Sequence, residues 1–389
     1  MSERDGTPPE RLPVSIITGF LGSGKTTLLK HLLAHPDMGE TAVVINEFGE
    51  TGLDHLLVEK ADDDTVLLSS GCLCCTVRGD LIDALRRLFR RRHKGEIPAF
   101  RRVVIETTGL ADPAPILHTL MQDPVLTAVY RLDGIITTVD AVNGQDQMDR
   151  QAESVKQVAV ADRLLLTKCD LAGEAALQAL EARLRKINPA APILRVAHGR
   201  IDPGQLFNAG LYNPESKSLD VQRWLREEAY ADQRHGHGHG HDHGHDHGHD
   251  HGHDHGDDHG HDPLDRNRHD DHIRAFCITR DAPIDWQRFC NWIDMLTATR
   301  GAGLLRMKGL LNVAGEAAPV AVHGVQHLFH PPVVLPAWPD GDRRSRIVLI
   351  TRDIPAATIE ESLAAFLGDD AAAQPAAEAR PESPTSGVK

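Results

Sequence analysis

A doubly wound, mostly parallel α/β sheet followed by a small α+β domain is the fold class this 389-residue sequence predicts. Three observations predict it. Between residues 13 and 212 short apolar runs alternate with helical patterns, the order found in parallel α/β domains. Several of those runs, Val103-Val104-Ile105 among them, are continuously apolar instead of alternating, as strands covered on both faces require. Third, the glycine-rich stretch Gly19-Phe20-Leu21-Gly22-Ser23-Gly24-Lys25-Thr26 stands between an apolar strand and a helical run.

Taken in order, the predicted strands are Val14–Ile17, Thr41–Ile45, Val66–Leu68, Val103–Ile105, Gly134–Val139, Arg163–Leu166 and Ile193–Val196. Helical stretches such as Asp80–Arg91 and Ala175–Ile187 lie between them. Residues 213–271 form a linker containing His235–Asp262, a run of His, Gly and Asp that holds 13 of the chain's 24 histidines. With so few apolar side chains it cannot build a core and is expected to be disordered. Residues 272–368 then read as the second domain. Its strands are Ile273–Thr279, Leu304–Val313, Val320–His323 and Arg346–Thr351, with helices over Asp285–Thr299 and Pro355–Phe366. The Ala/Pro/Glu-rich stretch 369–389 is expected to be a disordered tail.

Composition removes several function classes. Lys and Arg number 42 against 56 Asp and Glu, a net charge of −14, and aromatics make up only 4%. A nucleic-acid partner is therefore not expected. Nor does any apolar run reach membrane-spanning length. The first residues lack the apolar segment of a signal peptide, and three of the six cysteines crowd into Cys72-Leu73-Cys74-Cys75. Both point to a cytoplasmic chain without a disulfide framework.

Residues 19–26 fit the pattern G-x-x-x-x-G-K-[ST]. A bound phosphate needs several converging N–H donors, which glycines permit and a helix N-terminus supplies. Gly19, Gly22, Ser23, Gly24 and Thr27 belong to this cradle, Lys25 neutralises β/γ-phosphate charge, and the Thr26 hydroxyl suits Mg²⁺. Thr167-Lys168-Cys169-Asp170 follows another strand. There the Asp170 carboxylate can accept hydrogen bonds from guanine N1–H and its amine, which favours GTP over ATP. The usual form of this motif begins with Asn, so Thr167 departs from it. The acid on the Mg²⁺ side is open: Glu106 ends one buried strand and Asp140 another.

Two further motifs suit metal. Cys72 and Cys75 have C-x-x-C spacing with Cys74 close by, and no second pair completes a structural zinc site; a redox pair and buried structural thiols are the competing readings. Glu47, in Asn46-Glu47-Phe48-Gly49-Glu50, could add an oxygen ligand or lie in a solvated loop. In the histidine run, imidazoles such as His237, His239, His241, His243 and His245 offer many exchangeable divalent sites.

The ordered set GFLGSGKTT (19–27), NEFGE (46–50), GCLCC (71–75), IETTGLADP (105–113) and TKCD (167–170) resembles the CobW-like GTPases. The far-domain segments LLRMKGLLNVAGE (304–316) and GVQHLFHPP (324–332) resemble them as well. The resemblance spans roughly 13–355 and implies a metallochaperone. It implies that Glu106 takes the Mg²⁺-side position, leaving Asp140 to a structural or nucleotide-pocket role. It also implies that Cys72, Cys74 and Cys75 are the internal metal motif, with Glu47 accessory. The expected cofactors are GTP, Mg²⁺ and Zn²⁺, with Co²⁺ or Fe²⁺ as alternatives, and the expected partner is a client metalloprotein. A nucleotide- or metal-dependent dimer also stays open. Two rival readings are a passive histidine-tract metal buffer with a vestigial GTPase and a small-molecule P-loop kinase; the kinase leaves the cysteines unexplained.

Overall fold

A computed structural model describes residues 11–46, 66–69, 77–207 and 272–368. The first domain is a seven-stranded sheet of β1 (Leu12–Gly19), β2 (Thr41–Asn46), β3 (Val66–Ser69), β4 (Arg102–Thr107), β5 (Tyr130–Asp140), β6 (Arg163–Thr167) and β7 (Ile193–Arg195). Their spatial order is β3-β2-β4-β1-β5-β6-β7, with every pair parallel. All seven predicted strands are present. β5 starts four residues before its predicted start, at Tyr130, because Tyr130, Arg131 and Leu132 continue the pairing with Leu12, Pro13 and Val14.

Helices α1 (Lys25–Leu33), α2 (Val77–His93), α3 (Ala114–Gln122), α4 (Pro124–Val129), α5 (Gly144–Arg150), α6 (Ala152–Ala159) and α7 (Glu174–Ile187) connect these strands. One buried cluster joins Val14, Val103 and Ile135 of the sheet to Leu85 of α2 and Leu117 of α3. Another joins Ile17, Val104 and Ile136 to Leu28 and Leu32 of α1. Both sheet faces are therefore covered, which is why these strands carry no polar alternation.

The second domain is antiparallel. Its strands are β8 (Ile273–Arg280), β9 (Leu304–Leu311), β10 (Val320–Val325), β11 (Leu328–Phe329), β12 (Val333–Val334) and β13 (Ser345–Arg352), in the order β11-β10-β9-β13-β8 with β12 also on β10. Helices α8 (Trp286–Arg300) and α9 (Ala356–Leu367) cover one face, burying Phe289, Trp292, Ile359 and Leu363 against Ile347 and Leu349. Trp292 is the largest of these, and its ring N–H donates to Ser362 Oγ at 3.0 Å.

The opposite face lies on the first domain. Ala275, Cys277, Leu310 and Val348 share a buried cluster with Leu177, Leu180 and Leu184 of α7. Across the same junction Asp162 receives Lys308 Nζ at 2.8 Å and the guanidinium of Arg306, which also reaches the Val160 carbonyl. Burial alone would raise the Asp162 carboxyl, but Arg306 and Lys308 outweigh it and hold it well below the usual carboxylate range. Among the described residues no helix is long and apolar enough to cross a membrane.

Candidate functional site

The register of the first sheet brings the C-terminal ends of its central strands level. Ile17 pairs with Glu106, Gly19 with Thr138, and Asp140 with Thr167. Open α/β sheets bind ligands at this edge, where the connections diverge.

β1 ends at Gly19, whose φ of +140 and neighbours leave no room for a side chain: an added Cβ would stand 2.3 Å from Thr138 Oγ1. The loop then turns through Gly22 and Gly24, both at positive φ, and α1 begins at Lys25 without a side-chain cap. Its first N–H groups are consequently left to a ligand. Lys25 Nζ donates to the Gly19 and Phe20 carbonyls at 2.9 and 3.1 Å, folding the lysine back over the loop. The Thr26 hydroxyl donates to Glu106 Oε1 at 2.8 Å. Beneath the loop, Ser23 Oγ meets Thr138 Oγ1 at 2.7 Å, and Thr107 Oγ1 donates to Thr18 Oγ1 at 2.8 Å.

Thr167 explains its departure from asparagine. Its hydroxyl donates to the Ser23 carbonyl at 2.7 Å and lies 3.2 Å from the Val139 carbonyl, tying the end of β6 to the phosphate loop. Lys168 follows at φ +57, and its Nζ donates to Asp140 Oδ2 at 2.6 Å. Asp140 is 1% exposed and also accepts the Val142 and Asn143 N–H groups. Burial raises its carboxyl, but Lys168, Asn143 and Val142 outweigh it, leaving the group below its ordinary value. Of the two candidate acids, Glu106 is the one at Thr26, and Asp140 holds Lys168 in place. Asp170, one turn on, is partly exposed and faces the His198 ring at 3.8 Å.

A cleft of about 290 Å³ results, lined by Gly22, Gly24, Lys25, Thr26, Thr27, Glu106, Gly109 and Lys168 among others. Gly19 and Ser23 support it from below, and Asp170 lies just beyond Lys168. Gly109 lets the Glu106 segment touch the loop, since an added Cβ would sit 2.6 Å from the Leu21 backbone nitrogen. Gln157 of α6 donates to the Gly109 and Ala111 carbonyls at 3.3 and 2.9 Å. Sequence reasoning missed Gln157 and Thr138, because each acts only through partners far away in the chain. Glu47, Cys72, Cys74, Cys75 and the histidines His237, His239, His241, His243 and His245 lie outside the described residues. Among the described residues, no group of three or more His, Cys, Asp or Glu is placed to hold a metal ion.

Residues 13–195 match the family described as CobW/HypB/UreG, nucleotide-binding domain, and residues 273–367 match the cobW C-terminal domain. The chain is 35% identical over 357 residues to the Escherichia coli (strain K12) protein named zinc chaperone YjiA, spanning 92% of this chain and 98% of that one. The chain belongs to the CobW family. A Schizosaccharomyces pombe relative, named zinc-regulated GTPase metalloprotein activator 1, is 36% identical over 215 residues, 53% of this chain and 51% of its own. The crystal structure of Zn(II)-bound YjiA GTPase from E. coli superposes with a TM-score of 0.63 at 31% identity, covering 92% of this chain and 99% of that one. Every residue lining the cleft falls within the span matched by that nucleotide-binding domain. Oxygen donors only 2.8 Å apart, Thr26 and Glu106, suit a hard cation such as Mg²⁺.

Proposed function

We propose that this chain is a GTP-hydrolysing metallochaperone. In this reading it binds zinc, or a similar divalent metal, at Cys72, Cys74 and Cys75 with Glu47 accessory, and couples hydrolysis to metal transfer to a client protein. The observation that carries it is the convergence of Lys25, Thr26 and Glu106 at one phosphate-sized cleft, in a chain whose full-length relative is named a zinc chaperone.

Lys25 exchanges its two carbonyl partners for phosphate oxygens, and the uncapped N–H groups of α1 point at the same charge. Asp170 selects guanine through paired acceptor oxygens, while the Lys168 stem, pinned by Asp140, lies along the base. Thr26 and Glu106 would hold Mg²⁺, which would supply positive charge against the phosphates. Developing charge on the transferred group is then met by preorganised donors, the main source of catalysis in phosphoryl transfer. Ordering of the Glu47 segment by the triphosphate would alter how the cysteines hold their ion. Zinc suits a thiolate-rich site, and cobalt or iron are the alternatives.

The test is GTP hydrolysis with and without stoichiometric Zn²⁺, Co²⁺ or Fe²⁺, comparing wild type with Cys74→Ala/Cys75→Ala. A metal response lost in the double variant supports the coupled chaperone. An unchanged response removes the cysteines from the cycle and leaves the histidine tract as a passive buffer, which deletion of residues 235–262 would then abolish.

A further inference from the structure

Through the β10–β11 turn the second domain reaches Asp112, three residues beyond the cleft-lining Gly109. Val325 and Leu328, which flank the turn, are each 3% exposed and share a buried cluster with Leu117 and Leu120 of α3. At its tip Gln326 adopts φ +53, which is uncommon for a side chain of this kind. Its amide donates to Asp112 Oδ2 at 3.1 Å. The adjacent His327 sets its ring 5.5 Å from the His118 ring of α3.

Asp112 is well placed to transmit a displacement. Its Oδ1 accepts the Ala114 N–H at 3.0 Å at the start of α3, and its Oδ2 lies 3.7 Å from Lys156 Nζ. It closes the segment that leaves β4 after Thr107 and passes Gly109, where the phosphate loop makes contact through Leu21. Gln157 grips the Gly109 and Ala111 carbonyls from α6, yet its own buried Oε1 meets no donor among the described residues. A buried amide oxygen without a donor carries a cost. A shifted Gly109–Asp112 segment that brought an N–H to it would recover that cost.

We propose that the β10–β11 turn reads the nucleotide state. Gln326 is a positioning residue: it holds Asp112, and through it the Gly109 segment, in one of two arrangements between which the nucleotide selects. The second domain is thereby the device that senses the cleft, and its docking surface changes with the nucleotide. Coupling of this kind requires a contact that differs between the two states, and Asp112 is the side chain both domains hold. The inference rests on the guanine-nucleotide reading above.

The experiment titrates the full chain, with Mg²⁺, against GDP and against a non-hydrolysable GTP analogue, for wild type, Gln326→Asn and Gln326→Glu. Thermal unfolding is recorded alongside. Asn tolerates the left-handed backbone and is one methylene too short to reach Asp112; Glu keeps the length and sets two carboxylates together. Both variants are expected to shift the ratio of the two affinities by at least about five-fold, and Glu more than Asn. A contact that only fastens the domains would lower the unfolding temperature and leave the ratio within about two-fold of wild type, which would overturn the inference. Wild type that binds neither nucleotide would overturn the GTPase reading, and this inference with it. Normal wild-type binding with unmoved ratios overturns the inference alone.

Discussion

Thr167 illustrates how one side chain can depart from a motif and keep its task. Its hydroxyl fastens the Ser23 and Val139 carbonyls, so Thr167→Val, nearly the same shape, is expected to cost about 1–2 kcal/mol. It should also weaken GTP binding, whereas Thr167→Ser retains both properties. Paired thermal-unfolding and GTP titrations check this, and unchanged values in the Val variant would refute the fastening role. Asp170 is tested through its acceptor pair. Asp170→Asn should weaken GTP binding by about 100-fold, because one acceptor becomes a donor facing the guanine amine. Xanthosine triphosphate, with a 2-oxo group in that place, should bind this variant better than it binds wild type. Direct competition between the two nucleotides measures the switch. The residue types of both sites are readable in the chain itself; the Thr167–Ser23 partnership is not, since 144 positions separate them.

Among the elements, the approach of the Glu106 segment to the phosphate loop carries most consequence. At Gly109 a methyl would lie 2.6 Å from the Leu21 nitrogen and 2.7 Å from its Cα. Backbone cannot step aside as a flexible side chain does, so Gly109→Ala must part the loop from Glu106. GTP hydrolysis in this variant is expected to fall about 100-fold, the scale of an ångström-sized misplacement. Circular dichroism should remain near wild type, and loss of folded signal instead would mean the glycine serves stability. The strands around this site were legible as unbroken apolar runs because both faces of the sheet are covered. β11 and β12 escaped notice because they are two residues each, too short for any period to show.

For the whole molecule, the junction between the domains sets the acid response. His330 is half-buried beside His323, Arg306 and Asp162, with Lys308 and Arg11 also facing the cluster. Burial first, then the Arg306 charge, push its imidazole down to about 3. An unfolded histidine titrates near 6.5. Below that value the unfolded chain takes up a proton that the folded chain refuses, so stability present above pH 6.5 is lost as pH falls toward 3. Between pH 7 and pH 5 this one group should remove about 2 kcal/mol. His330→Gln should flatten that part of the profile of unfolding temperature against pH, and an equally steep profile would exclude His330 as the source. Asp162, held low by Arg306 and Lys308, acts only below about pH 4, where its loss adds to the fall. Asp162→Asn leaves both cations buried without their carboxylate and should cost about 3–5 kcal/mol at neutral pH, read by denaturant unfolding.

The sequence alone determines the fold class, the order of its elements and the residue types of the proposed phosphate cradle. Those rest on local periodicity and on motifs whose residues are neighbours in the chain, as Gly19–Thr27 and Thr167–Asp170 are. Tertiary structure decided the rest. It chose Glu106 over Asp140 as the acid at Thr26, because the register Ile17–Glu106 brings that carboxylate to the loop while Lys168 occupies the other. It also set the second domain's turn against Asp112, a contact across 214 positions. No periodicity encodes such pairings, since they arise only when two independently patterned surfaces bury one another.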